Sequence, residues 1–210
     1  MGYKEIIMQI FIAGSHTDVG KTSVSAALCY AFNLDYFKLI QAGVPTDSQK
    51  IQTLTPKTKI YPSGITLQTP VSPHIGMQVE KISYNGLEIP LPKSDNLLIE
   101  SAGGLFTPLD TQKCMIDFLS ASQLPCILVG AYYLGGINHI LLSIETLRMR
   151  KIPILGLIIS KEQNKSMDSF IESYAKIKIA HFAEYHNQAT FQENAEKLKL
   201  QMQNLKIFEI

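Results

Sequence analysis

In the 210-residue chain, 19 Lys plus Arg stand against 18 Asp plus Glu, a formal net charge of +1, so no basic excess argues for a nucleic-acid partner. Cys29, Cys114 and Cys126 show no C-x-x-C spacing, which suits reduced thiols better than a disulfide scaffold. No apolar run approaches the roughly 18–20 residues of a membrane helix, and the apolar stretch after Lys4 and Glu5 is too short for a secretion signal. The expectation is one soluble, cytoplasmic domain over residues 1–210, with no membrane partner.

Residues 6–23 (IIMQIFIAGSHTDVGKTS) organise the rest. A partly β-branched apolar run ends at Gly14, a polar loop follows, and Gly20-Lys21-Thr22-Ser23 opens a helical segment. Strand, loop and helix in that order let Gly-Lys-Thr be read as a phosphate-binding loop. Ser15 stands where G-x-x-x-x-G-K-[ST] has its first glycine, and Gly14 lies one place earlier. Backbone N–H groups of such a loop and the positive end of the following helix hold a triphosphate. Lys21 would reach the β- and γ-phosphates and the Thr22 hydroxyl would ligate Mg2+.

Residues 21–32 form the first predicted helix, with Val24, Ala27, Leu28 and Ala31 on one face. Residues 36–40 (YFKLI) read as a second strand, 41–46 as a turn and 47–54 as a short helix. Residues 55–73, rich in Pro, Thr and Ser, read mostly as loop. Ser72-Pro73-His74 predicts a helix to about Lys81, with serine as cap and proline first. After an irregular stretch over 84–96 comes a buried-type strand, 97–100, ending in Glu100. Helices over 112–122, 137–150, 166–174 and 190–205 then alternate with strands over 126–131, 154–160 and, weakly, 177–182.

Apolar strands alternating with amphipathic helices predict an α/β fold, a mostly parallel sheet with helices on both faces, of the P-loop nucleotide-hydrolase type. Ligands on such sheets bind beyond the carboxyl ends of the strands. Gly14, residues 38–43, 100–104 and 132–136, and Ser160 should therefore converge on one rim.

Mg2+ takes hard oxygen ligands, and Thr22, Asp47 and Glu100 could supply a set; Asp47 alone would be an ordinary helix cap. Lys38, inside a buried strand, is costly without a partner or a role. Near a triphosphate it would neutralise a transferring phosphoryl group or fix an anionic substrate; otherwise it snorkels to the surface. His74 is an acid–base candidate at a helix start, and His16, His139, His181 and His186 stay outside any mechanism.

Six motifs in order, GSHTDVGKT (14–22), KLIQAG (38–43), TDS (46–48), SPHI (72–75), ESAGGLFTPL (100–109) and LPCILVGAYYLGGINH (124–139), resemble the dethiobiotin synthetases of biotin synthesis. The likeness covers roughly the first three quarters of the chain. It implies ATP- and Mg-dependent closure of the ureido ring of dethiobiotin from 7,8-diaminononanoate and CO2. One amine becomes a carbamate, the carbamate attacks the γ-phosphate, and the second amine closes the ring on the carbamic–phosphoric anhydride.

The same resemblance implies catalytic roles for Lys38, Lys21 and Thr17, and metal ligation by Thr22, Asp47 and Glu100. It implies nucleotide contacts from Asp18, Val19, Gly20, Lys21, Thr22, Ser23, Asp47, Glu100, Ser101, Ala102, Gly103, Ser160 and Lys161. Substrate contacts fall to Thr17, Lys38, Ala42, Gly136, Ile137 and Asn138. In the family the last three come from a neighbouring subunit, so a homodimer is implied. Departures stand beside the matches. Ala42 replaces a usual Ser or Thr, leaving a substrate hydrogen bond absent or supplied by Gln41 or water; Leu39 replaces a common Pro and Ser101 a common Gly. Ser160-Lys161 replaces an Asn-Asp pair that reads adenine, with Glu184 and Asn187 as candidate base contacts. The alternative is a ParA/MinD-like regulatory ATPase switch of the same fold, whose signature lysine would stand where His16 does. An amidating relative would need a glutaminase domain for which 210 residues leave no room.

Overall fold

The computed structural model describes residues 8–208, so Ile6 and Ile7 of the predicted first strand lie outside it. Six parallel strands form the main sheet: β1 (Met8–Gly14), β2 (Asp35–Lys38), β5 (Asn96–Gly104), β6 (Cys126–Ala131), β7 (Ile154–Ser160) and β8 (Ile179–Phe182). Their order is β2-β5-β1-β6-β7-β8. The central strand shows why their sequences read as continuous apolar runs. Ile10 and Ile12 of β1 enter one core and Phe11 and Ala13 the other, so both faces of the strand are dry.

One core receives Val24 and Leu28 of α1 (Lys21–Phe32), Ile51 of α2 (Asp47–Leu54), and Phe191 and Leu198 of α7 (Gln188–Asn204). The opposite core receives Leu119 of α4 (Met115–Ser122), Ile140 and Leu147 of α5 (Gly136–Met149), and Ile171 of α6 (Lys165–Ala175). The predicted class, a mostly parallel sheet covered on both faces, is the observed one. Among the described residues, no helix is long and apolar enough to cross a membrane.

The predicted strand over 36–40 is really two. β2 pairs with β5 through Lys38, and then β3 (Ile40–Ala42) leaves the main sheet and pairs with β4 (Ile65–Leu67), a strand hidden in the stretch read as loop. Leu39 is the hand-over point: its N–H donates to the Glu100 carbonyl at 3.0 Å, while its own carbonyl accepts from Ile65 at 3.1 Å. Gly64 permits this approach, since a Cβ there would lie 2.6 Å from the Leu39 carbonyl oxygen. An apolar run read by period alone does not say which sheet each half joins.

Glu100 is likewise not a strand end. β5 continues to Gly104, and Glu100 sits opposite Ile12 on one side and Lys38 on the other. A short 3-10 turn (Gly86–Glu88) occupies part of the irregular 84–96 stretch, and the predicted 112–122 helix begins at Met115. Ser72 precedes α3 (Pro73–Glu80) without capping it; its hydroxyl lies 3.1 Å from His74 Nδ1.

Candidate active site

The β1–α1 loop is built as a phosphate cradle. Gly14 is needed at the end of β1, because a Cβ would lie 2.8 Å from the His16 carbonyl oxygen and 2.9 Å from Lys21 Nζ. Gly14 thus meets the close-packing requirement that the motif assigns one place later, and Ser15 is accommodated with its N–H donating to Val129 at 2.9 Å. The Ser15 hydroxyl is buried and has no hydrogen-bond partner among the described residues. Gly20 turns the chain into α1 with φ 87°, a left-handed conformation that favours glycine. The first turn of α1 holds no acidic residue, so its free N–H groups face the loop unopposed.

Lys21 is buried, and its ammonium points back over the loop to the His16 carbonyl at 3.4 Å. Burial, reinforced by the neighbouring Lys38 charge, pulls its pKa down to about 8. An anion in the loop would reverse that penalty.

Thr22, the next residue, is where three segments meet. Its hydroxyl lies 2.8 Å from Asp47 Oδ1 and 3.0 Å from Glu100 Oε1. Lys38 closes the cluster, with Nζ 2.6 Å from Asp47 Oδ2, 2.8 Å from Glu100 Oε1 and 2.9 Å from the Ser101 carbonyl oxygen. Glu100 has 0% exposure, and Tyr36 donates to its second oxygen, Oε2, at 3.2 Å. Burial works against charge on Lys38, but Glu100 and Asp47 outweigh it and hold its pKa above the usual lysine value. For Asp47 burial opposes ionisation, and Lys38 and Thr22 overcome it, so its pKa falls below the ordinary carboxylate range. Lys38 is therefore paired and buried, not a snorkelling surface lysine.

Asp47 is aimed by its surroundings. Thr46 and Gln49 form a reciprocal capping box at the start of α2, which sets the helix entry. The Asp47 N–H donates to Gln41 Oε1 at 2.9 Å, and Gln41 Nε2 donates to the Gly43 carbonyl at 3.1 Å. Gln41 is thus committed to shaping the 41–47 turn and is not free to replace the hydroxyl missing at Ala42. Sequence reasoning missed this role; the signal was an amide inside an otherwise apolar 39–42 run.

One large cavity of about 1430 Å³ opens over the cluster. Thr17, Asp18, Gly20, Lys21, Thr22, Ser23, Lys38, Ala42, Asp47, Glu100, Ala102, Gly103 and Lys161 line it. Val19 and Ser101 are buried behind the wall; the backbone of Ser101 receives Lys38, and that of Val19 receives the Ser160 hydroxyl at 2.5 Å. His16 and His139, set aside from the sequence, stand at the mouth with rings stacked 5.4 Å apart, and Tyr133 reaches His139 Nδ1 at 2.6 Å.

Gly136, Ile137 and Asn138 form the first turn of α5 but do not line this cavity, to which α5 contributes His139, Leu142, Ser143 and Thr146.

A second cavity of about 260 Å³ adjoins the loop, lined by Gly20, Ser23, Lys50, Ser160, Lys161, Phe182, Ala183, Glu184 and Tyr185. Glu184 lies there, whereas Asn187 caps α7, its Oδ1 accepting from Thr190 at 2.9 Å. Ser23 Oγ and the Tyr185 hydroxyl are 3.1 Å apart. Ser160 acts from beneath: its hydroxyl is tied to Val19, and a Cβ on Gly20 would lie 2.7 Å from its Oγ. Ser160→Ala is accordingly expected to weaken ATP, GTP and CTP alike by less than about tenfold, the worth of one neutral hydrogen bond. A changed ratio among the three dissociation constants would instead give Ser160 a direct role in base reading.

The oxygen donors of Thr22, Asp47 and Glu100 are of the hard type that suits Mg2+. Among the described residues no group of three or more His, Cys, Asp or Glu side chains could hold a metal alone, so hydroxyl and phosphate oxygens would complete such a site.

Comparison with known proteins shows the family. A family model described as an AAA domain matches residues 8–191. A Campylobacter jejuni protein named ATP-dependent dethiobiotin synthetase BioD is 54% identical over 201 residues, covering 94% of this chain and 97% of that protein. A protein of the same name from Lawsonia intracellularis is 40% identical over 174 residues, covering 82% and 85%. Among solved structures, the septum site-determining protein MinD of Pyrococcus horikoshii is similar with a TM-score of 0.56 at 14% identity, covering 95% of this chain and 96% of that one; the likeness is one of fold alone. With the P-loop cradle, the parallel sheet and relatives matched along nearly their whole length, the chain belongs to the dethiobiotin synthetase family of AAA-domain proteins.

Proposed function

We propose that this chain is an ATP-dependent cyclo-ligase that closes the ureido ring of dethiobiotin from 7,8-diaminononanoate and CO2 in biotin synthesis. The observation that carries the reading is the meeting of two lysines, a threonine and two carboxylates from four separate segments at the floor of one cavity. The 54% identity to the Campylobacter jejuni relative supplies the substrate class.

In this reading the phosphates lie against the loop N–H groups and the start of α1, with Lys21 on the β- and γ-phosphates. Thr22, Asp47 and Glu100 would hold Mg2+, which would neutralise phosphate charge. An anionic carbamate must approach an anionic γ-phosphate, so positioning and cations carry most of the catalysis. Thr17 at the loop tip orients the carbamate, and Lys38 lowers the repulsion between nucleophile and phosphoryl group. Attack forms the new O–P bond and releases ADP; the second amine then forms the ring C–N bond and expels phosphate.

Gly136, Ile137 and Asn138 of a second subunit would receive the substrate carboxylate at a helix N-terminus, which makes the working unit a homodimer, acting in the cytoplasm. The smaller cavity, with Lys161 and Glu184 in its wall, would receive the nucleotide base, and Ser160 supports the loop from beneath. Position 16 carries a histidine stacked on His139 in place of a cation, which argues against a partition-type switch. Purified protein given ATP, Mg2+ and bicarbonate is expected to release phosphate only when 7,8-diaminononanoate is added. Release indifferent to the diamine but stimulated by lipid vesicles would overturn the reading.

A further inference from the structure

Period-two alternation on β2 puts Tyr36 and Lys38 on the same face of the strand, and register pairs Lys38 with Glu100 and Tyr36 with Leu98. Tyr36 is fully buried in the core beneath α1 and α2. Its backbone is clamped on the outer edge of β2, with its N–H donating to Lys59 and its carbonyl accepting from Tyr61, both at 2.9 Å. The ring is thus held by packing on its faces and by the main chain on both sides. A phenylalanine would fill nearly the same volume with no hydroxyl to desolvate, so the hydroxyl calls for a partner.

That partner is Glu100. The two carboxylate oxygens have different neighbours: Oε1 faces Thr22 and Lys38, while Oε2 accepts from the Tyr36 hydroxyl. The terminal torsion of a glutamate is broad and two-fold, so a donor fixed on one oxygen is what aims the other.

We propose that Tyr36 is a positioning residue for the phosphate-transfer site. Its phenol pins Oε2 of Glu100 so that Oε1 points at Thr22, and it thereby sets the affinity for the divalent cation without touching substrate or nucleotide. The inference rests on the proposed metal-binding role of Thr22, Asp47 and Glu100.

The test is Mn2+ binding, followed by electron paramagnetic resonance, to the full chain saturated with a non-hydrolysable ATP analogue. Tyr36→Phe is expected to weaken Mn2+ binding roughly ten- to a hundredfold, the range for a hydrogen bond to a charged group. Binding of the analogue in EDTA should stay within about twofold of the parent. Because a buried tyrosine also packs, the variant is repeated on Glu100→Gln. A residue that acts through Glu100 adds no further loss there, whereas a purely structural one adds its full effect. Unchanged Mn2+ affinity in Tyr36→Phe, or full additivity on Glu100→Gln, overturns the proposal while leaving the metal site standing. Failure of the parent protein to bind Mn2+ beside the nucleotide removes the metal site itself, and the role of Tyr36 with it.

Discussion

Replacing Lys38 with methionine is expected to cut diamine-dependent phosphate release by roughly 10²–10³-fold, the usual cost of losing a preorganised charge donor at a developing anion, while nucleotide affinity stays nearly intact. The reason lies in what the ammonium touches. It lies 2.6 Å from Asp47 and 2.8 Å from Glu100 and reaches the cavity floor beside Thr22, where an incoming carbamate and a γ-phosphate would meet. The same substitution should destabilise the nucleotide-free protein. Removing one partner of a buried ion pair costs about 3–5 kcal/mol, because the remaining charge is left uncompensated. Asp47 is 31% exposed, so water screens part of that loss, whereas Glu100 has no exposure. Thermal melting in EDTA should therefore fall, and Mg2+ with nucleotide should recover much of the loss by supplying a cation to the same two carboxylates. Turnover equal to that of the parent would remove Lys38 from the mechanism. A melting temperature unchanged in EDTA would mean that the buried carboxylates are neutralised in some other way.

Lys21→Met should separate stability from function in the opposite sense. Lys21 is buried, and among the described residues its ammonium forms no ion pair with a carboxylate and donates to the His16 carbonyl at 3.4 Å. Burial and then Lys38 disfavour its charged form, which brings its pKa to about 8. Folding thus holds a cation where it is poorly solvated, a strained arrangement of the kind that serves a ligand rather than the fold. The variant is expected to melt no lower than the parent without nucleotide. Affinity for ATP should drop roughly ten- to a hundredfold, the worth of a charge-assisted hydrogen bond, and turnover by roughly 10²–10³-fold. Calorimetric titration with ATP and a melting curve on the same sample check both halves. Unaltered ATP affinity would mean that the loop does not hold a triphosphate.

The two lysines were found in the sequence by different arguments. Lys21 was read from a motif placed between a strand and a helix, a local pattern whose geometry follows from a few consecutive residues. Lys38 was read from a cost, a charge inside a buried strand, and the cost is met by Asp47, nine residues on, and by Glu100, distant in sequence. Glu100 was read as a strand end, whereas it lies within a longer strand, and its position opposite Lys38 in the ladder brings it against that lysine. Gln41 was read only as a possible stand-in for the hydroxyl missing at Ala42, and Tyr36 was not read as a site residue. Gln41 bonds the backbone of Gly43 and Asp47, and Tyr36 donates to Glu100; the first left only an amide in an apolar run as its trace in the sequence, the second none.

Strand and helix periods, glycine positions and the order of the motifs followed from the chain alone, because each depends on neighbours within a few residues and on which faces must be dry. That was enough for the fold class, the phosphate loop and the family. The departure of β3 into a side sheet, the burial of Glu100 between Ile12 and Lys38, and the separate duties of its two oxygens came from tertiary structure. Strand order and register bring together residues more than sixty positions apart. The energy of those meetings depends on distances and burial that only the packed chain sets.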